Sequence, residues 1–232
     1  ILISECLSRD IDPESSSAPK TSQEALQSFF SIPDGKLSNL SAKERGILAE
    51  RICLIATGRK TAPCYAIYDS GEGQTPLSLP NTILSIGKSN KLRIPFVQGK
   101  FNMGGTGVFP FCGKNNLQLI ISKRNPAVKA KDGSEDYWGV TIVRRDDPRA
   151  GIRSSVYKYL APEGKILSFK ENKLELLPGE YPNAYSKAVG YGTYIKMYDY
   201  QMPGGLKTNI LFDLYNRLSL LIPTLALPVR LY

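Results

Sequence analysis

The sequence predicts an α+β fold, a two-layer sandwich with helices over one face of a mixed, mostly antiparallel sheet. Helical patterns occupy the first quarter of the chain and strand patterns follow them, without the alternation of strands and helices that marks parallel α/β folds. Of the 232 residues, 42% are hydrophobic and 22% charged, which is typical of a globular domain. Apolar runs stay short of the roughly 18 residues that a membrane-spanning helix needs, so no membrane partner is expected.

The helices are predicted from apolar spacing and capping signals. Residues 1–9 have helical spacing without a preceding N-cap, which indicates the end of a helix that begins upstream. A short helix is expected over Ser22–Phe30. Ser41 followed by Glu44 is a capping-box pattern, and the apolar residues after it predict a helix that continues to Gly58.

The strands are predicted from runs of β-branched and aromatic residues between Gly, Pro and Asp turns. The first is Pro63–Tyr68, and a short helix around Pro80–Ile86 comes after it. The remaining strands are expected over Leu117–Lys123, Tyr137–Arg144, Ser154–Leu160 and Thr193–Tyr198, before a helix over Leu206–Leu221 and a last strand over Leu227–Tyr232. We therefore expect one domain over residues 1–205, with residues 206–232 forming a closing helix and the start of a following domain.

Composition excludes several kinds of chemistry. The chain has no histidine, which rules out histidine-based triads and histidine-ligated zinc within it. Its four cysteines match no zinc pattern, and reduced thiols in a cytoplasmic protein are the expectation. Thirty basic residues against 21 acidic ones give a net charge of +9. This balance is compatible with a nucleic acid, a polyanionic nucleotide or an acidic partner.

The first glycine cluster is Asp69-x-Gly71-x-Gly73, directly after a predicted strand. Glycines at this place allow a sharp turn and a close approach of the backbone to a ligand. A carboxylate at the strand end is suited to accept a hydrogen bond from an exocyclic amine. The alternative is an ordinary hairpin turn, since such sequences are common in turns.

The second glycine cluster, Gly99–Gly107, has the sequence GKFNMGGTG and precedes a helical pattern. Free backbone N–H groups at a helix start are suited to bind phosphates. Lys88, Lys91, Arg93 and Lys100 add positive charge to this segment. The alternative is a surface loop whose glycines provide flexibility. It is not a Walker A motif, because GxxxxGK[ST] does not occur in the chain.

Together the two clusters resemble the GHKL ATPase superfamily, which includes the gyrase B subunit, MutL, histidine kinases and the ninety-kilodalton heat-shock chaperone. The resemblance is closest to prokaryotic chaperone-like ATP-binding proteins of this group. Most of it lies in Cys64–Ile121, with the stretch SIGKSNKLRIPFVQGKFNMGGTGVFPFCG, and it extends to Gly192-Thr193. It implies the GHKL, or Bergerat-type, ATP-binding fold.

The resemblance also implies roles for individual residues. Asp69 would accept a hydrogen bond from the adenine amino group, and Thr193 would assist through a water molecule. Gly71 and Gly73 would let the base lie against the backbone, while residues 99–107 would wrap the triphosphate. The full set, which adds Thr75 beside the base and lid residues near the sugar or phosphates, is Asp69, Gly71, Gly73, Thr75, Lys88, Ser89, Asn90, Gly99, Lys100, Phe101, Asn102, Met103, Gly104, Gly105, Thr106, Gly107 and Thr193.

One expected motif is missing from the chain. The superfamily carries a helical ExxxNxxDA motif, whose Glu polarises the attacking water and whose Asn binds Mg²⁺. Residues 1–9 contain no Asn, and Glu5 is not followed by Asn four residues later. The motif is therefore expected upstream of this chain. The implied cofactors are ATP or ADP with Mg²⁺, and no residue here is assigned to catalysis.

The leading hypothesis is the ATP-binding domain of a GHKL-type ATPase. Closure of a lid on the nucleotide would change contacts with a following domain or a second subunit, and hydrolysis in the full-length protein would release them. One alternative is a non-catalytic, nucleotide-gated interaction module. Another is a basic domain that binds nucleic acid and has no nucleotide pocket.

Overall fold

A computed structural model describes residues 1–86, 88, 91–97, 99, 104–129, 132–148, 151, 153–179, 185–202, 210–222 and 225–232. Its helices are α1 Leu2–Ser8, α2 Ser22–Phe30, α3 Ala42–Ala49, α4 Gly104–Gly107 and α5 Ile210–Leu221. Its strands are β1 Ile52–Arg59, β2 Ala62–Asp69, β3 Leu117–Lys123, β4 Tyr137–Asp146, β5 Val156–Tyr159, β6 Leu167–Lys170, β7 Leu174–Leu177, β8 Lys187–Val189, β9 Gly192–Met197 and β10 Arg230–Leu231.

The main sheet contains eight of the strands in the described residues. Their order is β10-β1-β2-β9-β3-β4-β5, and β6 pairs with the other half of the β4 edge. The pair β1–β10 is parallel and the remaining pairs are antiparallel. Strands β7 and β8 form a separate antiparallel pair. The α+β class and the mixed, mostly antiparallel sheet are thus confirmed.

The two faces of the main sheet have different covers. On one face, Tyr65 and Met197 pack against Leu214 of α5, and Phe109 packs near Ile120. The opposite face is covered by the small β7–β8 sheet, with buried Leu177 among its contacts; this second layer was not predicted. The helices α1 and α2 pack in a further apolar cluster, which also contains Ile94, Phe96 and Leu227.

Capping explains where the early helices begin. Thr21 accepts a hydrogen bond from the backbone N–H of Glu24 at the start of α2. At α3 the predicted capping box is present in full: Ser41 accepts from the Glu44 N–H, and the Glu44 carboxylate accepts from the Ser41 N–H at 2.7 Å. The reciprocal pair satisfies two backbone donors that a helix start leaves open.

The predicted end of α3 was wrong. The helix stops at Ala49 instead of continuing to Gly58, and Ile52–Arg59 is strand β1. Cys53 and Ile55 are fully buried on one face of this strand, so the apolar residues have a period of two. Strand pairing with β2 and β10 overrides the helical interpretation of a short apolar run.

Other predicted elements change mainly in length. The short helix around Pro80–Ile86 is a single 3-10 turn over Leu79–Asn81. The last predicted strand shortens to β10, which joins the main sheet beside β1. The predicted closing helix appears as α5, and the residues expected at its start, 206–209, lie outside the described residues. Along the described chain, none of the helices has the length and apolar character needed to cross a membrane.

Candidate functional site

A cavity of about 300 Å³ lies on the helix-bearing face of the main sheet. This is at the lower end of the roughly 300–1,000 Å³ typical of small-molecule sites. Its floor comes from β3 and β9, and α4 lies at its rim. The apolar part of the lining is Ile1, Ile3, Ile83, Leu84, Ile86, Phe109, Ile120, Val143, Tyr157 and Ile195. The polar or glycine part is Asp69, Glu72, Gly73, Gln74, Lys91, Gly105, Thr106, Gln118 and Thr193.

A row of three polar residues crosses the sheet beside the cavity. Asp69 on β2 pairs with Thr193 on β9, and Thr193 pairs with Ser122 on β3. Because directly paired residues of neighbouring strands point to the same face, the three side chains form one line. The Ser122 and Thr193 hydroxyls are 2.9 Å apart. Asp69 and Thr193 line the cavity, while Ser122 lies behind Thr193 and has no exposed surface.

Asp69 is a half-buried carboxylic acid at the end of β2. It accepts a hydrogen bond of 3.0 Å from the backbone N–H of Gly71. Burial raises the pKa of Asp69 above its ordinary value of 3.8, and this effect outweighs the opposing ones of the nearby positive charges and the Gly71 N–H. An acid with a raised pKa in a cavity is a typical feature of a functional site.

The turn after Asp69 is fixed by residues that follow β3. Asn125 donates a side-chain hydrogen bond of 3.2 Å to the Gly71 carbonyl, and Arg124 donates one of 2.8 Å to the Glu72 carboxylate. Gly73 has φ +61°, and a Cβ there would overlap the Lys123 carbonyl. Glycine at position 73 is thus required by the fold itself.

Gly71 has a different steric role from Gly73. A Cβ at Gly71 would lie 2.5 Å from Oδ1 of Asp69, so a larger residue would push directly on the carboxylate. The hairpin interpretation of this segment was wrong. Strand β2 is paired with β1 and β9, and the chain leaves the sheet after Asp69.

The last four residues of the second glycine cluster, Gly104–Gly107, form α4, a single helical turn at the cavity rim. The Gly105 carbonyl accepts a hydrogen bond of 3.4 Å from Nε2 of Gln118, which ties the turn to β3. A Cβ added at Gly104, Gly105 or Gly107 would have no atom within 4 Å. Glycine at these positions is therefore not required by packing among the described residues.

The structure brings five of the predicted residues together: Asp69, Gly73, Gly105, Thr106 and Thr193 all line the cavity. Gly71 supports Asp69, while Gly104 and Gly107 belong to α4 beside the rim.

Three other predicted residues lie away from the cavity. The Thr75 hydroxyl is hydrogen-bonded to Ser78 and Asp132. Lys88 is exposed and donates a hydrogen bond of 2.9 Å to the side-chain oxygen of Asn81. Gly99 lines a second cavity, which Asp69 and Lys91 also border. The remaining predicted residues lie outside the described ones; they are Ser89, Asn90, Lys100, Phe101, Asn102 and Met103.

Sequence reasoning missed Ser122 and Gln118. Both face the cavity side of β3 and are buried, at 0% and 2% exposure. The sequence does contain a signal for both. Gln118, Ile120 and Ser122 are alternate residues of LQLIISK and therefore lie on one face of the strand, so two of the three residues on a face with a buried Ile are polar.

Comparison of the chain with family models and with characterised proteins gives no match. Across the described residues, no group of three or more Cys, Asp and Glu side chains has a metal-binding arrangement.

Proposed function

We propose that this chain is an adenine-nucleotide-binding domain of the GHKL type, acting within a larger ATPase. The supporting observation is the position of Asp69: a half-buried carboxylate at the end of a central strand, with Thr193 beside it and a cavity in front of both. The glycine turn α4 lies on the same cavity.

The polar end of the cavity is suited to adenine. The 6-amino group of adenine donates hydrogen bonds, and the ionised carboxylate of Asp69 can only accept them. Guanine has a carbonyl oxygen at this position, which the carboxylate would repel. Ile120, Ile195 and Phe109 supply apolar surface for the faces of the base. The site should therefore prefer adenine to guanine nucleotides.

The rim is suited to phosphates. The open space beside Gly104, Gly105 and Gly107 leaves the backbone accessible to a ligand in a way that a side chain would prevent. Lys91, on the cavity wall, contributes positive charge near Asp69. We assign the triphosphate to this rim.

The proposed output is conformational. Nucleotide binding would close the segment that precedes α4 over the phosphates and change contacts with a following domain or a second subunit, in a cytoplasmic protein. In the full-length protein ATP hydrolysis would reverse the change.

A non-catalytic, nucleotide-gated module is the second candidate. It is favoured by the ion pairs that two acids, Glu72 and Glu5, form with arginines. Glu72 is paired with Arg124 at 2.8 Å, and Glu5 with Arg51 at 2.6 Å. Burial acts to raise the pKa of Glu5, but hydrogen bonds from Arg9 and Arg51 outweigh it and lower the pKa. An acid held in this way is a poor general base at neutral pH.

Thermal melts with ATP, ADP and GTP in the presence of Mg²⁺ test the proposal. Ligand at 100 times its Kd stabilises a folded protein by about 2.7 kcal/mol. For a domain of this size that is about 5–10 °C. We expect a shift with ATP and ADP, a smaller one with GTP, and none with ATP in Asp69→Asn.

Gly105→Ala is the matched variant for the rim, because a Cβ there meets nothing in the free chain. It should fold normally and lose most of the ATP shift. Equal shifts with ATP and GTP would contradict the assignment of the adenine pocket. A chain that binds nucleic acid and shows no shift with any nucleotide would support the third candidate, a basic nucleic-acid-binding domain.

A further inference from the structure

Ser122 makes three polar contacts although it is fully buried. Its hydroxyl accepts a hydrogen bond of 2.8 Å from the backbone N–H of Gln74 and donates one of 3.0 Å to the Gly192 carbonyl. The third contact, at 2.9 Å, is to the Thr193 hydroxyl. Ser122 does not line the cavity, whereas Thr193 does.

The number of protons at Ser122 determines the direction of the third contact. A serine hydroxyl has one proton to donate and two lone pairs to accept with. The Gly192 carbonyl can only accept, so it takes the proton of Ser122. The Gln74 N–H can only donate, so it occupies one lone pair of the Ser122 oxygen. The remaining lone pair then accepts the proton of the Thr193 hydroxyl.

We infer that Ser122 is a positioning residue that holds the Thr193 proton away from the cavity and thereby makes Thr193 an acceptor toward the ligand. With Asp69 beside it, the site presents two acceptors to one edge of the base. It therefore favours a purine with a 6-amino donor over a 6-oxo purine, whose carbonyl would face these two acceptors. This inference rests on the proposed function, since it specifies the ligand of that same cavity.

The test is the ratio of the Kd for ITP to the Kd for ATP, because inosine replaces the 6-amino group by a carbonyl. In Ser122→Ala the Thr193 hydroxyl is free to turn and donate to a carbonyl. A neutral hydrogen bond of this kind changes affinity by roughly 3- to 10-fold. We expect the ITP/ATP ratio to fall by that factor in Ser122→Ala.

Thr141→Val is the matched control. Thr141 lies on strand β4, next to β3, and its side chain is on the same face of the sheet as that of Ser122. It is fully buried and donates a hydrogen bond of 2.8 Å to the Leu160 carbonyl, away from the cavity. Both variants lose one buried hydroxyl, so both should be less stable. The ITP/ATP ratio should change in Ser122→Ala and stay as in the wild type in Thr141→Val. If Ser122→Ala does not fold, Ser122→Cys, which is similar in size and a weaker hydrogen-bonding group, should lower the ratio in the same direction.

The outcomes separate the two proposals. A wild type that binds ATP, with the same ITP/ATP ratio in both Ser122 variants and in the control, would overturn the role of Ser122 and leave the adenine site in place. A wild type that binds neither nucleotide would overturn the proposed function, and with it this inference.

Discussion

Asp69→Asn should stabilise the free chain at neutral pH although it removes the residue proposed to bind adenine. The folded chain raises the pKa of Asp69, mainly through burial. At pH values between the pKa of Asp69 in the unfolded chain and its higher pKa in the folded chain, the folded state binds more protons than the unfolded state. Stability is therefore lost as the pH rises through the folded pKa. Asn stays neutral throughout, so the variant escapes that loss.

The size of the effect follows from the linkage between proton affinity and stability. Each tenfold rise in the proton affinity of the acid on folding costs about 1.4 kcal/mol once the group is ionised. In a domain of this size that is about 3–6 °C in Tm. The hydrogen bond from Gly71 adds no further cost, because the amide oxygen of Asn can accept it.

The assay is a pair of melts for wild type and Asp69→Asn, repeated at several pH values from 4 to 8. The two Tm values should converge near the ordinary Asp pKa of 3.8 and separate as the pH rises, with the variant higher. Asp132→Asn is a control for which the expected change in stability has the opposite sign. Burial acts to raise the pKa of Asp132, but hydrogen bonds from Thr75 and Ser134 outweigh it and lower the pKa. That variant should be less stable than the wild type at pH 7. A Tm of Asp69→Asn below the wild type at pH 7 would refute the reasoning.

Three further predictions concern stability of the free chain, measured by urea unfolding. Gly73→Ala should cost more than about 1 kcal/mol, since its Cβ would overlap the Lys123 carbonyl at a positive φ; an unchanged midpoint would be inconsistent with the turn described. Gly105→Ala should be neutral or more stable by up to about 1 kcal/mol, and a clear loss would mean that α4 is packed more tightly than the structure shows. Ser41→Ala should cost about 1 kcal/mol through loss of the capping box, whereas a change below a few tenths would show that the cap contributes little.

Local signals in the sequence predict much of this fold. The capping box at Ser41 and the bounds of α2 and β3 agree with the prediction, because each depends on a few neighbouring residues. For the same reason the turn after β2 was located correctly by its glycines. The α+β class followed from the order of helical and strand patterns.

The errors come from long-range pairing. Ile52–Arg59 is apolar enough for a helix, and its strand state depends on partners as distant as Arg230 and Leu231. The β7–β8 layer depends equally on the main sheet that it covers. At the site, the glycine motifs indicated Asp69, but Ser122 was missed because its role arises only when β9 places Thr193 beside it. Thr75 illustrates the opposite error, since proximity along the chain did not bring it to the cavity.

Equilibrium dialysis of labelled ATP against the wild type and Asp69→Asn tests the central claim most directly. We predict saturable binding of one ATP per chain, displaced by ADP and only weakly by GTP. In folded Asp69→Asn this binding should be lost. ATP binding that Asp69→Asn leaves unchanged would contradict the claim that the cavity beside Asp69 is the adenine site.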